Sequence, residues 1–272
     1  MKPAGGTPFD AHVTDRDVRI LQDLERFRLL TTRHLQRLHF PAIPLGPHTS
    51  ASSATRGTTR VLGRLEQLGA ISRLDRRIGG IKHGSALTIW QLGQAGDRLL
   101  RARRGDPVRR RYDEPGIVFT EHQLAVAEVA VTVIEQAQAR RFDLLELEAE
   151  PTCWRTFNGT ANTAITLKPD LLVVTADAST ETHSYVEVDR GTEHLPAVLR
   201  KCRTYQRYCD TGAEQQIRGL FPAAVWIVPD AVRAHKIREA IAADTALQIG
   251  LFWTVTPEQA LHQLAPCGTP TT

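Results

Sequence analysis

Residues 168–175 have the sequence KPDLLVVT, and residues 184–189 have the sequence SYVEVD. Each stretch is a run of apolar and β-branched residues with an acidic group at one end, a pattern that predicts a strand. If the two strands are neighbours, Asp170 and Glu187 meet at one point of a sheet. Paired carboxylates at a water-accessible sheet end suit Mg²⁺ and form the skeleton of a metal-dependent phosphodiesterase site. The alternative is that Asp170 only begins a strand after a proline turn and that Glu187 is a solvated strand residue.

The composition is that of a globular protein with one large or two ordinary domains, since 42% of the 272 residues are hydrophobic. No stretch reaches the ~18 uninterrupted apolar residues of a membrane span, and the N-terminal sequence MKPAGG lacks the apolar core of a signal peptide. The four cysteines show neither a metal-ligand spacing nor a disulfide framework. We therefore expect a cytoplasmic protein that has no membrane contact.

Charge is distributed unevenly along the chain, although the net charge is only +4. Residues 1–112 contain 21 lysines and arginines against 9 aspartates and glutamates, whereas residues 113–272 contain 13 against 21. A basic part joined to an acidic part indicates a module that binds a polyanion, attached to a second module with a different role.

The basic part shows the pattern of three helices followed by a β-hairpin. Its helices are predicted from apolar residues at helical spacing and from residue types that start and stop helices. The predicted features are a capping box at 14–17, a second helix start at Thr31/Thr32, a loop at 41–53, a third helix that ends at Gly69, and a hairpin formed by 71–74 and 87–92. This order predicts a winged helix-turn-helix domain over residues 1–100, followed by a basic linker at 101–116.

In a winged helix the third helix enters the major groove of double-stranded DNA, and the wing contacts phosphate or the minor groove. Basic and hydroxyl side chains cover both of these elements, which is why we expect DNA binding here. The candidate DNA-binding residues are Arg56, Thr58, Thr59, Arg60 and Arg64 on the third helix and Arg76, Arg77, Lys82 and His83 around the hairpin tip. The alternatives are an ordinary solvated helix face and a protein–protein module.

The acidic part predicts an α/β domain over residues 117–272. A capping box at 120–123 starts a long apolar helix that runs to about Arg140. Strands and helices then alternate at a spacing that implies parallel crossovers in a mixed sheet with an αβββαβ order. They are strands at 143–149, 165–175 and 184–189, a helix at 194–209, a strand at 223–228, a helix at 230–243 and a strand at 251–255.

Several short motifs of the chain occur together in a known order. They are FTEH at 119–122, KPD at 168–170, YVEVDRGTE at 185–193, and Lys201 with Tyr205 on the helix that follows. With these motifs the αβββαβ domain resembles the PD-(D/E)xK nuclease fold. The chain from about residue 14 to about residue 208 resembles the replication-relaxation family of plasmid and integrative-element proteins. The resemblance implies a role in the replication or mobilisation of mobile DNA.

One position departs from the nuclease pattern. Two residues after the acidic group that pattern has a lysine, which orients the attacking water and stabilises the developing phosphate charge, but this chain has Asp189. Lys201, about two turns into the next helix, is the candidate substitute, and Lys168 is another. The resemblance therefore implies a catalytic set of Asp170, Glu187, Asp189 and Lys201, in which Asp170 and Glu187 hold Mg²⁺.

Two functions are compatible with these patterns. In the first, the winged helix locates a duplex site and the acidic sheet end cleaves or nicks DNA with Mg²⁺. In the second, the protein is a non-enzymatic initiator or regulator, and its nuclease-like domain serves homodimerisation or partner binding. The set of Asp170, Glu187 and Lys201 favours the first function, whereas Asp189 favours the second.

Overall fold

The structure is a computed structural model of a mixed α/β protein with several sheets. It forms two compact units, residues 1–131 and residues 132–272. The structure describes residues 13–74, 88–107, 116–159 and 163–266.

The first unit contains short strands between its helices. Its elements are α1 (Asp15–Phe27), β1 (Leu29–Thr31), α2 (Thr32–His39), α3 (Ala51–Gln67), β2 (Ile71–Arg73), β3 (Ile89–Leu92), α4 (Gln94–Arg104) and the first part of α5 (Ile117–Gln138). The division between the two units falls within α5, between Val131 and Thr132.

The starts of α1, α2 and α3 are each fixed by a capping box, in which a hydroxyl side chain accepts from the main chain one turn later. The capping residues are Thr14, Thr31 and Ser50. The predicted starts at Thr14 and at Thr31 are confirmed, whereas α3 begins inside the loop predicted at 41–53. Gly69 follows α3 with a φ of +64°, a left-handed conformation that favours glycine.

A three-stranded sheet of order β1-β3-β2 accompanies these helices. The predicted hairpin is confirmed at its base, where Ser72 pairs with Gln91 in antiparallel register. Strand β1 was not predicted because a segment of three buried residues is too short to show a period of two. The hairpin tip, with the candidate DNA-binding residues Arg76, Arg77, Lys82 and His83, lies outside the described residues.

Helix α5 begins at Ile117, so the capping box predicted at 120–123 is wrong. The Thr120 hydroxyl donates to Gly116 O at 3.0 Å, a bond back to the carbonyl four residues earlier, whereas a capping hydroxyl accepts from a main-chain N–H further on. This 22-residue helix is long and apolar enough to cross a membrane, but core helices of soluble proteins can have the same length and composition. Two polar residues, Thr120 and Gln123, are among those that it buries.

The second unit is an α/β arrangement. Its elements after α5 are β4 (Asp143–Ala149), β5 (Arg155–Asn158), β6 (Ala164–Leu167), β7 (Leu171–Ala176), β8 (Glu181–Val188), α6 (Leu195–Asp210), α7 (Ala213–Arg218), β9 (Ala223–Ile227), α8 (Ala231–Ala243), β10 (Phe252–Val255) and α9 (Pro257–Leu264).

The main sheet of this unit has the order β10-β9-β8-β7-β4. Strands β8, β9 and β10 are parallel, and β7 is antiparallel to both β4 and β8. The predicted mixed sheet with parallel crossovers is therefore confirmed. Helices α6 and α8 lie in the connections between the parallel strands, where a helical crossover is expected.

The single strand predicted at 165–175 is wrong, because β6 ends at Leu167 and β7 begins at Leu171. Pro169 has no N–H group and cannot donate to a strand neighbour, so the segment 168–170 separates two strands. Strand β6 instead pairs with β5 in a two-stranded hairpin that was not predicted. The break leaves Asp170 immediately before β7, at the end of the main sheet.

A hydrophobic core lies between the main sheet and the helices α6 and α8. Tyr185 of β8 and Trp226 of β9 are fully buried in it, together with Cys202 of α6 and Ile237 of α8. Side chains two residues apart on a strand point to the same face, so Glu187 points with Tyr185 toward the side that α6 covers.

Candidate functional site

Asp170 is hydrogen-bonded to the residues before and after Glu187 in the sequence, Val186 and Val188. Its N–H donates to Val186 O at 3.0 Å, and its Oδ2 accepts from Val188 N at 2.7 Å. Leu171, the next residue, pairs with Val186 in the antiparallel register of β7 and β8. The structure thus brings the two predicted metal ligands, Asp170 and Glu187, side by side at one end of two adjacent strands.

Glu187 is buried, with 2% of the residue exposed, and both of its carboxylate oxygens have partners. Oε1 accepts from the Tyr205 hydroxyl at 2.6 Å, and Oε2 is in direct contact with Lys201 Nζ. Lys201 and Tyr205 are four residues apart on α6, so they lie on one face of that helix. We call Asp170, Glu187, Lys201 and Tyr205 the acidic cluster.

Burial raises the pKa of Glu187 to about 8, and the charge of Asp170 contributes, while Lys201 and Tyr205 act in the opposite direction. Burial lowers the pKa of Lys201, but the charges of Glu187 and Asp170 outweigh that effect and raise it above its ordinary value. Burial and the Glu187 charge raise the pKa of Tyr205 well above its ordinary value. The tyrosine therefore keeps its proton and remains a donor to Glu187.

Asp189, the predicted assistant residue, is held by a different cation. Its Oδ2 accepts from Arg233 Nε at 2.8 Å, and its Oδ1 accepts from Gly191 N at 2.7 Å. Arg233 of α8 also donates to the Glu193 carbonyl, so it ties the loop after β8 to that helix. Lys168, the other candidate lysine, lies with Nζ 4.5 Å from the centroid of the Trp154 ring, a cation–π contact.

A divalent cation does not fit the acidic cluster in this arrangement. Among the residues that the structure describes, no group of three or more His, Cys, Asp or Glu could hold a metal ion together. Lys201 and Tyr205 take both oxygens of Glu187, so an ion could reach that carboxylate only if the ammonium left it. Mg²⁺ binding at Asp170 and Glu187 remains a prediction that requires this exchange.

The exposed face of α3 carries part of the predicted DNA-binding set. Arg56, Thr59 and Arg60 are exposed there. Within the described part of the chain, the side chains of Arg56 and Arg60 form neither a hydrogen bond nor an ion pair. Their guanidinium groups are therefore available to an external anion.

Two other members of the set are engaged within the first unit, Thr58 by burial and Arg64 by an ion pair. Thr58 is fully buried, and its hydroxyl donates to Ala54 O at 2.9 Å. The Arg64 guanidinium donates to both carboxylate oxygens of the buried Asp17 at 2.6 Å. The sequence pattern did not separate these two from their exposed neighbours because a basic residue on an amphipathic helix can pair across to another helix.

The pairing of Arg233 with Asp189 was not predicted from the sequence. The two residues are 44 positions apart and lie on elements that meet only after a parallel crossover. Only an indirect argument could have predicted this pairing: a carboxylate that is buried requires a charged or hydrogen-bonding partner.

The fold and the site together define the class of protein: it is an α/β protein of two units, with a basic helix face in one unit and the buried acidic cluster in the other. The replication-relaxation family model matches residues 21–224. The chain therefore belongs to the replication-relaxation family, and this membership indicates a role in replication or in mobile elements. Comparisons with curated proteins and with solved structures gave no match.

Proposed function

We propose that this protein binds double-stranded DNA and acts in the replication or mobilisation of a mobile genetic element such as a plasmid. Family membership supports the biological setting, and the excess of basic residues in 1–112 supports a polyanionic partner. The sequence of elements α1, α2, α3 and the β2–β3 hairpin supports a winged helix in the first unit.

The observation that carries this proposal is the arginine pair on α3. Arg56 and Arg60 are one turn apart, exposed, and without a partner among the described residues. Exposed basic side chains on the third helix of a winged helix are placed to contact bases or phosphates in the major groove. Thr59 lies between them on the same exposed surface.

The test is duplex binding by the full-length protein, with Arg56→Ala/Arg60→Ala compared with Arg19→Ala/Arg98→Ala. The control removes two exposed arginines from α1 and α4 and leaves α3 intact. Loss of two contacts should weaken binding by about 1–3 kcal/mol per contact, and the control should bind like the wild type. If both variants bound the duplex with equal affinity, α3 would not be the recognition helix.

For the second unit we propose a PD-(D/E)xK-like fold that does not cleave DNA in the arrangement seen here and that serves partner binding or homodimerisation. Three contacts support this role: Lys201 and Tyr205 hold Glu187, and Arg233 holds Asp189. A nuclease site needs its carboxylates accessible to metal and water, whereas these carboxylates are buried and compensated.

A second candidate is a metal-dependent nuclease or nickase. It is favoured by one observation, the meeting of Asp170, Glu187 and Lys201 at one end of the sheet. Supercoiled plasmid incubated with Mg²⁺ or Mn²⁺ separates the two candidates. Cleavage by the wild type that disappears in Asp170→Ala would establish the nuclease, and intact plasmid with the wild type would support the non-enzymatic role.

A further inference from the structure

Helix α6 has a second, outward face that is basic. Arg200, Arg203 and Arg207 have the spacing i, i+3 and i+7, which places them on one side of a helix. They line a shallow groove of about 600 Å³ together with Thr204, Gln206, Asp210 and Ala246. Lys201 and Tyr205 point the other way, into the acidic cluster.

The groove carries more positive than negative charge. Arg203 forms an ion pair with Asp244, Nε to Oδ2 at 2.8 Å. In the described part of the structure Arg207 donates only to neutral acceptors, the Arg203 carbonyl and the Thr204 hydroxyl. Arg200 is exposed, and within the described residues its guanidinium group has no hydrogen bond or ion pair, although its carbonyl accepts from the Thr204 hydroxyl.

Asp210 is the acidic residue that lines the groove, and its Oδ1 accepts from the Gln206 amide at 2.8 Å. Among the residues that the structure describes, the guanidinium groups of Arg200 and Arg207 therefore form no ion pair with a carboxylate. They occur in the part of the sequence, residues 113–272, where acidic residues outnumber basic ones.

Arginine side chains in such a row match a phosphate chain. A helix rises 1.5 Å per residue, so Arg200 and Arg207 are about 10 Å apart along the axis of α6. Along the duplex axis one strand of DNA has a phosphate about every 3.4 Å, so guanidinium groups about 10 Å apart are far enough from each other to contact different phosphates. The planar guanidinium group binds phosphate oxygens in a bidentate manner, which a lysine ammonium cannot do.

We propose that this groove binds the sugar-phosphate backbone of a nucleic acid, as a contact site additional to α3. The proposal rests on the proposed DNA-binding function and assigns part of that function to the second unit. Because phosphate contacts carry no base information, the groove contributes affinity without sequence preference.

The test measures binding of the full-length protein to a 20-base-pair duplex over a series of salt concentrations. Arg200→Ala/Arg207→Ala is compared with Arg141→Ala/Lys236→Ala, which removes the same charge from exposed positions of the second unit outside the groove. Each lost phosphate contact lowers the slope of log K against log salt by about 0.9. The groove variant should therefore lose nearly two units of slope, which is roughly sixtyfold in affinity at 0.1 M salt if the two lines meet at about 1 M salt, and the control variant should lose neither.

Equal slopes and affinities in the groove variant and the control variant would overturn the proposal. If Arg56→Ala/Arg60→Ala then still weakened binding, the DNA-binding function would stand without the groove. If the wild type failed to bind the duplex at all, both proposals would fall. If the groove variant kept its affinity for the duplex but lost affinity for poly-glutamate, the groove would bind acidic protein rather than nucleic acid, and the proposal would be wrong.

Discussion

The carboxyl group of Glu187 is buried, which disfavours its negative charge, but both of its oxygens have hydrogen-bond or ion-pair partners. Burying a carboxylate costs free energy unless hydrogen bonds and an opposite charge compensate. Here Tyr205 and Lys201 each take one oxygen, and Asp170 adds a second negative charge nearby. Removing any one partner should therefore leave a buried polar atom unsatisfied.

Tyr205→Phe tests this expectation with a minimal change of shape. The variant keeps the aromatic ring in the core but removes the hydroxyl that donates to Glu187 Oε1. An unsatisfied buried acceptor costs about 1–3 kcal/mol, so the free energy of unfolding should fall by that amount in urea titrations. A variant as stable as the wild type would show that Tyr205 does not compensate Glu187.

The raised pKa of Glu187 predicts a pH effect on stability. In the folded protein this carboxyl titrates at a pKa of about 8, against an ordinary value of 4.5. Between pH 4.5 and 8 the folded state holds a proton that the unfolded state has released, so rising pH favours unfolding. The contribution of Glu187 is thus fully present below pH 4.5 and is lost as the pH approaches 8.

Glu187→Gln removes this titration and is the matched comparison. The difference in unfolding free energy, wild type minus variant, should decline steadily in urea titrations at pH 5, 6, 7 and 8. Lys201 contributes little to this trend because its raised pKa moves its titration further above the window. A difference that stayed constant with pH would contradict a raised pKa for Glu187.

At the scale of elements, helix α3 depends on its N-terminal cap. The Ser50 hydroxyl accepts from Ser53 N, and the Ser53 hydroxyl accepts from Ser50 N, each at 3.2 Å. Ser50→Ala removes one of these bonds and should lower the stability of the first unit by about 0.5–2 kcal/mol. Ser52→Ala, an exposed change in the same turn, is the control and should leave the denaturation midpoint unchanged.

Most helices and strands could be predicted from periodicity and end signals, and the exceptions have local causes. Strand β1 has three residues, too few for a pattern. The break between β6 and β7 depends on Pro169, which has no N–H group and interrupts an apolar pattern that otherwise runs from 165 to 175. Helix α5 begins three residues before Thr120. The Thr120 hydroxyl donates to a carbonyl of the preceding turn and does not cap the helix.

For the whole molecule, the sequence predicted which residues approach one another when a short hairpin joins them. Asp170 and Glu187 lie 17 positions apart on two antiparallel neighbours, so their proximity followed from the strand pattern. The partner of Asp189 could not be predicted in this way, since Arg233 reaches it through a crossover. Likewise, the sequence could not show that Arg64 is ion-paired while Arg60 is exposed, because the partner of Arg64 is Asp17 on another helix.

The hairpin of β7 and β8 also has a consequence for the order of folding. It brings Asp170 beside Glu187 through a short loop, before the more distant helix α6 needs to be in place. In the hairpin alone the carboxyl group of Glu187 lacks the two partners that α6 provides, so docking of α6 supplies Lys201 and Tyr205 to it. We predict that contacts of Tyr205 form after the main folding barrier. In stopped-flow measurements Tyr205→Phe should then accelerate unfolding and leave the refolding rate nearly unchanged, whereas slower refolding would place α6 in the folding nucleus.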